Sequence, residues 1–296
     1  MTNTDSSTLL LSVDFEDWHQ LARRRVGWRD WERPGPALAR QTDALLALLD
    51  ELQVKATFFV LGMAARAHPY LVEQVVGHGH EIGCHGDQHR PVFTHSREEF
   101  AEDLAAARET IEDIAGRSPI GYRAPAFSIT RDTPWAYDVL ADQGFSYDAS
   151  QHDSPRIRRR EQIATTGPHP LELSGQRTLW EFPVAVWRTR RSPVPVGGPS
   201  YWAVLPTRLV LQGLAQAGPL AGLYMHPHEF DPRPLRLGLP AASPVTQRAR
   251  GAVRAAQRNS ARLAAPRTLR AIARRFRLIP YGEAYAELSA STPART

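Results

Sequence analysis

The stretch Gly79–His89 reads GHEIGCHGDQH and holds two histidines, His85 and His89, in an i, i+4 relation. Two imidazoles so spaced meet on one side of a helical turn and can hold one metal ion. Two histidines and one carboxylate suit zinc or another divalent ion that keeps open positions for water and substrate. Such an ion polarises a carbonyl and acidifies a water. The remaining chemistry needs a second carboxylate to take the water's proton and a separate histidine to protonate the leaving group. It also needs a cation to keep the base ionised. The chain offers Asp14, Glu16 and Asp17 in VDFEDW, Arg123 in GYRAPAF and His226 in LYMHPHEF. The reaction class they suit is metal-assisted hydrolysis of an amide or ester. Each residue also has a plain structural use: a strand-end cap for Asp14, a surface pair for His85 and His89, a core hydrogen bond for His226, a salt bridge for Arg123.

The elements that would position these residues alternate along the chain. Thr8–Val13 is an apolar, β-branched run and reads as a buried strand. It delivers three carboxylates at its end, which repel one another unless a cation or a proton compensates. Further strands are expected at 56–60, 80–84, 120–123, 145–148, 180–186 and 222–226. Helices are expected at 38–52, from Pro69 to about Val76, from Ser96 with a Glu99 capping box to about Ala115, at 134–143 and at 206–217. Residues 23–36, 151–177 and 193–201 read as loops or excursions, 244–276 as one or two basic helices, and 278–288 as a strand and helix. Strands alternating with helices argue for a mostly parallel α/β fold. A barrel with its site at the strand C-termini gathers Asp14, His85, Arg123, Asp148 and His226. Cys84 alternates away from His85 and reads as a small buried hydrophobe.

With one cysteine in 296 residues, no internal disulfide is possible, which fits a reducing compartment. The N-terminal residues lack a basic region and reach Asp14 after a short apolar run, so a cytoplasmic enzyme is expected. The net charge is +5, and thirteen arginines follow residue 230 against only Asp231, Glu283 and Glu287. That excess suits a solvated helix, a polyanionic glycan or peripheral contact with an anionic inner-membrane face. No nucleic-acid motif accompanies it.

SVDFEDW, HEIGCHGDQH, GYRAPAFS, YDAS, WEFPV and LYMHPHEFDP occur in the order and spacing of NodB-like polysaccharide deacetylases, carbohydrate esterase family 4. ATFFVLG, GYRAPAFSIT, PVGGPSYWAVLP and HPHEFDP further resemble the exosortase-associated, PEP-CTERM-locus subfamily. The resemblance implies a distorted (β/α) barrel over residues 9–231, with a basic, mainly helical extension over 232–288 and flexible tails at 1–8 and 289–296. It implies removal of N-acetyl groups from a hexosamine-containing glycan, an exopolysaccharide or its lipid-linked precursor. It casts Asp14 as general base, His85 and His89 as metal ligands, His226 as general acid and Arg123 as the residue orienting the base. Leu223 and Tyr224 would wall the acetyl pocket, with Pro125 and Phe127 also at the substrate, and backbone N–H groups near the first motif or the 123–127 loop would help the metal stabilise the oxyanion. The implied metal is zinc, with cobalt, nickel or iron as alternatives.

The chain departs from the family pattern in three places. The usual pair of adjacent aspartates is here Asp14-Phe15-Glu16-Asp17. Strand alternation favours Glu16 as third ligand, and a strand ending at Phe15 would let Asp17 swing in instead. Gly86 stands where many relatives carry Ser or Thr, and His228 where the close subfamily often has Trp. Two other functions share the fold or the motifs: an amidohydrolase of small cyclic amides, and a non-catalytic glycan-binding or assembly protein.

Overall fold

The computed structural model describes residues 8–153 and 167–291. Its elements run in the order β1 (Thr8–Phe15), α1 (Trp18–Arg25), α2 (Leu38–Glu51), β2 (Thr57–Val60), α3 (Gly62–Ala67), α4 (Pro69–Gly77), β3 (Glu81–Cys84) and α5 (Arg97–Ala115). Then come β4 (Gly121–Tyr122), α6 (Trp135–Asp142), β5 (Tyr147–Asp148), β6 (His169–Glu172), β7 (Thr178–Glu181), β8 (Val186–Arg188) and β9 (Pro193–Pro195). The chain closes with α7 (Pro199–Trp202), α8 (Thr207–Gln216), β10 (Ala221–Met225), α9 (Val245–Ala273), β11 (Arg277–Ile279) and α10 (Tyr281–Ser291).

Seven strands pair in parallel in the order β10-β1-β2-β3-β4-β5-β7, and β6 adds antiparallel to β7. The sheet curls into a distorted barrel. A parallel bridge between Val184 and Gly222 returns the chain after β7 to β10. β11 pairs with Thr8–Leu10 of β1, while β2 pairs with Ser12–Phe15. A strand has two edges and β10 occupies one, so β11 and β2 share the other, each taking half its length.

Side-chain alternation splits the apolar residues into two cores. Leu9, Leu11, Val13 and Phe15 face outward and pack with Leu45, Leu49, Val72 and Leu104 of the surrounding helices. Leu10 faces inward with Phe59, Tyr147, Phe182, Ile279 and Tyr281, which fill the lumen. Ser12 and Asp14 share Leu10's face, so one strand carries both the floor of the barrel and the charge above it. Gly83 faces inward as well: a Cβ built there would lie 2.6 Å from the Phe59 ring. Gly83→Ala is therefore expected to overpack the lumen and cost about 1–3 kcal/mol, read as a lowered denaturant midpoint.

Several expectations hold in detail. Ser96 caps α5 and Glu99 reaches back in a reciprocal capping box, and Cys84 is buried in the outer core. Others need correction. His85–His89 is not a helical turn but an irregular loop, with Gly86 and His89 in the left-handed region at φ 78° and 54°. Residues 18–25 form a helix that takes in the first three residues of the expected 23–36 loop, and the Asp17 side chain supplies its N-cap. β6 lies inside the expected 151–177 excursion, and β9 inside the expected 193–201 loop, where it pairs with β8. Both are short edge pairings with little apolar alternation to announce them. Residues 154–166 of that excursion, and 1–7 and 292–296 of the expected tails, lie outside the described residues.

Candidate active site

Asp14, Glu16, His85, Arg123 and His226 each sit at or just past the C-terminal end of a parallel strand. β1 delivers Asp14 and, two residues on, Glu16 to the same face. β3 runs into His85, β4 into Arg123 and β10 into His226. Asp14, Glu16, His85 and His226 line a cavity of about 950 Å³ together with His89, Phe127, His152, Tyr201 and Tyr224.

Arg123 is the hub beneath it. The side chain is fully buried, and its Nη1 donates to Asp14 Oδ1 at 2.8 Å and to Ser12 Oγ. Nε donates to the Ala149 carbonyl at 3.0 Å and Nη2 to the Tyr281 hydroxyl at 2.9 Å. Its guanidinium carbon lies 4.3 Å from the Phe59 ring centroid. Burial alone would raise the Asp14 pKa, but Arg123, with His85 and His226, holds the carboxyl below its usual range. Asp14 is thus a buried, ionised carboxylate whose Oδ2 remains open toward the cavity, 3.9 Å from His226 Nε2.

Glu16 faces the histidine pair. Its Oε2 lies 3.0 Å from His89 Nε2 and 3.9 Å from His85 Nε2, and the donor atoms of the three residues fall within 4.8 Å of one another. His85 Nδ1 lies 2.8 Å from the Arg123 carbonyl, which only accepts. The proton is therefore on Nδ1, and Nε2 presents its lone pair to the cavity, as a metal-binding imidazole requires. Desolvation pushes the His85 pKa down to about 4, which keeps that lone pair free. Glu16 is held well below its usual range: burial opposes this, and His89, His226 and His85 outweigh it. Two imidazole nitrogens and one carboxylate within reach of a common point fit a divalent ion of the zinc type.

Asp17 is engaged elsewhere. It accepts from the His19 backbone N–H at 2.8 Å and from the Gly35 N–H, so it is the cap of α1 and takes no part in the triad.

Across the cavity, His226 is paired with Glu229, whose Oε2 lies 3.2 Å from His226 Nδ1 and accepts the His226 backbone N–H at 2.8 Å. Desolvation pulls the His226 pKa down, but Glu229, Glu16 and Asp14 push it up to about 9. In the metal-free protein His226 is an imidazolium at neutral pH. A raised folded-state pKa contributes stability in full below the unfolded value near 6.5, and that contribution is lost as pH rises through about 9. Glu229→Gln removes the first-named of these attractions, so the His226 titration, followed by NMR in metal-free protein, should move down by about one pH unit or more.

Two of the positions expected at the substrate lie away from the cavity. Leu223 points into the outer core opposite Leu11, because alternation that brings Tyr224 inward turns its neighbour out. Pro125 packs beside Gly86, and the cavity is lined instead by Ala126 and Phe127. Those two residues have successive left-handed backbones at φ 56° and 54°, a costly conformation for non-glycine residues that sets the Phe127 ring in the wall. Asp148 is buried beneath the site. It accepts from Ser150 Oγ at 2.6 Å, and Ser150 Oγ in turn accepts the Ala124 N–H at 2.8 Å, bracing the Arg123 loop.

Other site residues escaped the sequence reading. His152 is buried against Phe127, with ring centroids 4.8 Å apart, and desolvation lowers its pKa to about 4. Buried His228, already singled out in the sequence, has its ring tilted against that of His226 with centroids 5.1 Å apart, and burial and the His226 charge keep its pKa well below the usual value. Glu229 was findable as the acid three residues after His226; nothing local marks His152.

These features define a parallel α/β barrel with a buried carboxylate facing a histidine, and a candidate metal triad, at the mouth formed by its strand ends. Residues 34–147 match the family model described as polysaccharide deacetylase, and residues 152–266 match a domain of unknown function, DUF3473. Over residues 34–147, under half of its length, the chain is similar to polysaccharide deacetylases. It is 30% identical over 106 residues to the peptidoglycan deacetylase of Helicobacter pylori, covering 36% of this chain and 35% of that protein. It is 34% identical over 84 residues to a peptidoglycan-N-acetylglucosamine deacetylase of Bacillus cereus, covering 28% of this chain and 39% of that protein. The chain thus spans well under half the length of these curated relatives. Among solved structures, a Mycobacterium smegmatis protein assigned as a polysaccharide deacetylase shares the fold, with a TM-score of 0.63 at 21% identity over 100% of this chain and 97% of that one. Puue allantoinase shares it too, with a TM-score of 0.64 at 13% identity over 99% of this chain and 94% of that one.

Proposed function

We propose that the protein hydrolyses N-acetyl groups from hexosamine residues of a glycan, with a divalent metal held by Glu16, His85 and His89. The single observation carrying this reading is the opposition of Asp14 and His226 across that triad: a carboxylate kept ionised by Arg123 faces an imidazolium kept charged by Glu229. General base and general acid need such opposite protonation at one pH. The names of the curated relatives support an N-acetylated glycan as substrate. The subfamily motifs support an exopolysaccharide or its lipid-linked precursor as that glycan.

When bound, the metal, zinc by its donor set, supplies Lewis acidity and an acidified water. Asp14 Oδ2 accepts the proton of the attacking water. His226 Nε2, 3.9 Å away, donates its proton to the departing amine, so acetate and a free amino sugar leave. Tyr224 and Phe127, with ring centroids 5.0 Å apart, form the apolar wall for the acetyl methyl. His226→Ala is expected to lower kcat by about two to three orders of magnitude with little change in KM. Acetate release from N-acetylglucosamine oligomers checks this, and an unchanged kcat would remove His226 from the mechanism.

A further inference from the structure

One wall of the cavity has no part in the chemistry above. Arg250, Arg254 and Arg258 occupy positions i, i+4 and i+8 of α9 and so share one face of that helix. All three line the cavity, and Arg25 of α1 joins them. Among the described residues, none of the four has a carboxylate within ion-pair range, and the hydrogen bond Arg258 makes goes to the Ser200 hydroxyl at 2.9 Å. Other arginines of the same helix are used in the fold: Arg270 pairs with Glu51 at 2.7 Å, and Arg262 donates to the Asp231 carbonyl at 3.2 Å. The cavity's own carboxylates are already committed, Asp14 to Arg123 and Glu16 to the histidines. The four cations therefore repel one another. Desolvation, Arg254, Arg258 and Arg24 hold the Arg25 guanidinium below its usual range, against the pull of Glu16.

A cleft lined by charge of one sign focuses its field on the ligand that enters. Resting on the deacetylase reading, we propose that this wall selects an anionic glycan: an N-acetylated oligosaccharide with a carboxylate or phosphate near the sugar being deacetylated. Guanidinium forks suit both groups, by paired N–H donors to two oxygens. The cations line the concavity beside the acid–base pair, which places the anion on the substrate. The wall lies on α9 within the stretch matching DUF3473, and so gives that region a task in substrate choice.

The test compares zinc-loaded full-length protein on three soluble probes: chitin oligomers, which are neutral, hyaluronan oligomers, which carry a carboxylate per repeat, and UDP-N-acetylglucosamine, which carries a pyrophosphate. The expected result is a KM about tenfold or more lower for one of the anionic probes than for chitin oligomers, with the advantage shrinking in high salt. The carboxylate and pyrophosphate arms tell which anion is read. Arg250→Gln with Arg254→Gln should bring the anionic and neutral KM values together, and Arg250→Lys with Arg254→Lys should restore much of the difference. Equal KM values in the native protein, or a preference that survives the Gln pair, would overturn the proposal. If no probe releases acetate, the deacetylase reading fails on its own. The wall is then judged by direct titration of the same oligosaccharides: tighter anionic binding lost in the Gln pair supports it, and equal binding overturns it. Arginine-dependent sedimentation with phosphatidylglycerol vesicles, without any preference among oligosaccharides, would overturn it in favour of a membrane surface.

Discussion

Asp14→Asn is expected to lower kcat by about a thousandfold. The replacement is isosteric, and its side-chain oxygen can still accept from Arg123 Nη1, so the pocket keeps its shape. It cannot take a proton from water. The substitution also leaves the buried Arg123 without its countercharge, a change that costs about 3 kcal/mol or more when one partner of a buried pair is removed. The two effects separate by measurement: kcat reads the first and a thermal or denaturant melt the second. The pH dependence follows the same logic. Asp14 has a depressed folded-state pKa, so its contribution to stability is present above the unfolded value of 3.8 and is lost as pH falls through the folded one. The Asn variant should lack that part of the acid-side loss.

Glu16→Ala and Asp17→Ala are expected to part company. Removing Glu16 takes away one of the three proposed metal donors, and zinc affinity should fall by about a hundredfold or more, with activity falling in step. Removing Asp17 takes away the α1 N-cap and its bond to the Gly35 N–H. That should cost about 1–2 kcal/mol of stability and leave one zinc per chain. Zinc stoichiometry after dialysis, measured beside the melting temperature, distinguishes them. Metal lost in Asp17→Ala and kept in Glu16→Ala would reverse the assignment of the third donor.

What the sequence disclosed tracks the range of the forces involved. β1 and α5 were legible because an apolar run and a capping box are local signals. The convergence of Asp14, His85, Arg123 and His226 was legible because each follows a recognisable strand. The third donor turned on where β1 ends: it ends at Phe15, yet Glu16 keeps the inward direction while Asp17 turns to cap α1. Of Leu223 and Tyr224 only Tyr224 lines the cavity, since only alternation about a known strand tells which of two neighbours faces in. The loop from His85 to His89 was misread as a helical turn because i, i+4 spacing does not reveal left-handed residues at Gly86 and His89. The arginine face of α9 was visible as a charge excess, but its place beside Asp14 and Glu16 depends on contacts across more than two hundred residues.

The most direct test of the account is acetate release from N-acetylglucosamine and N-acetylgalactosamine oligomers, run on the same preparation with metal bound, after chelation and after readdition of zinc. The account predicts acetate release that vanishes on chelation, returns with one zinc per chain and is about a thousandfold slower in Asp14→Asn. Acetate release that persists in the metal-free protein, or a zinc-loaded protein that releases none from any N-acetylhexosamine substrate, would contradict it.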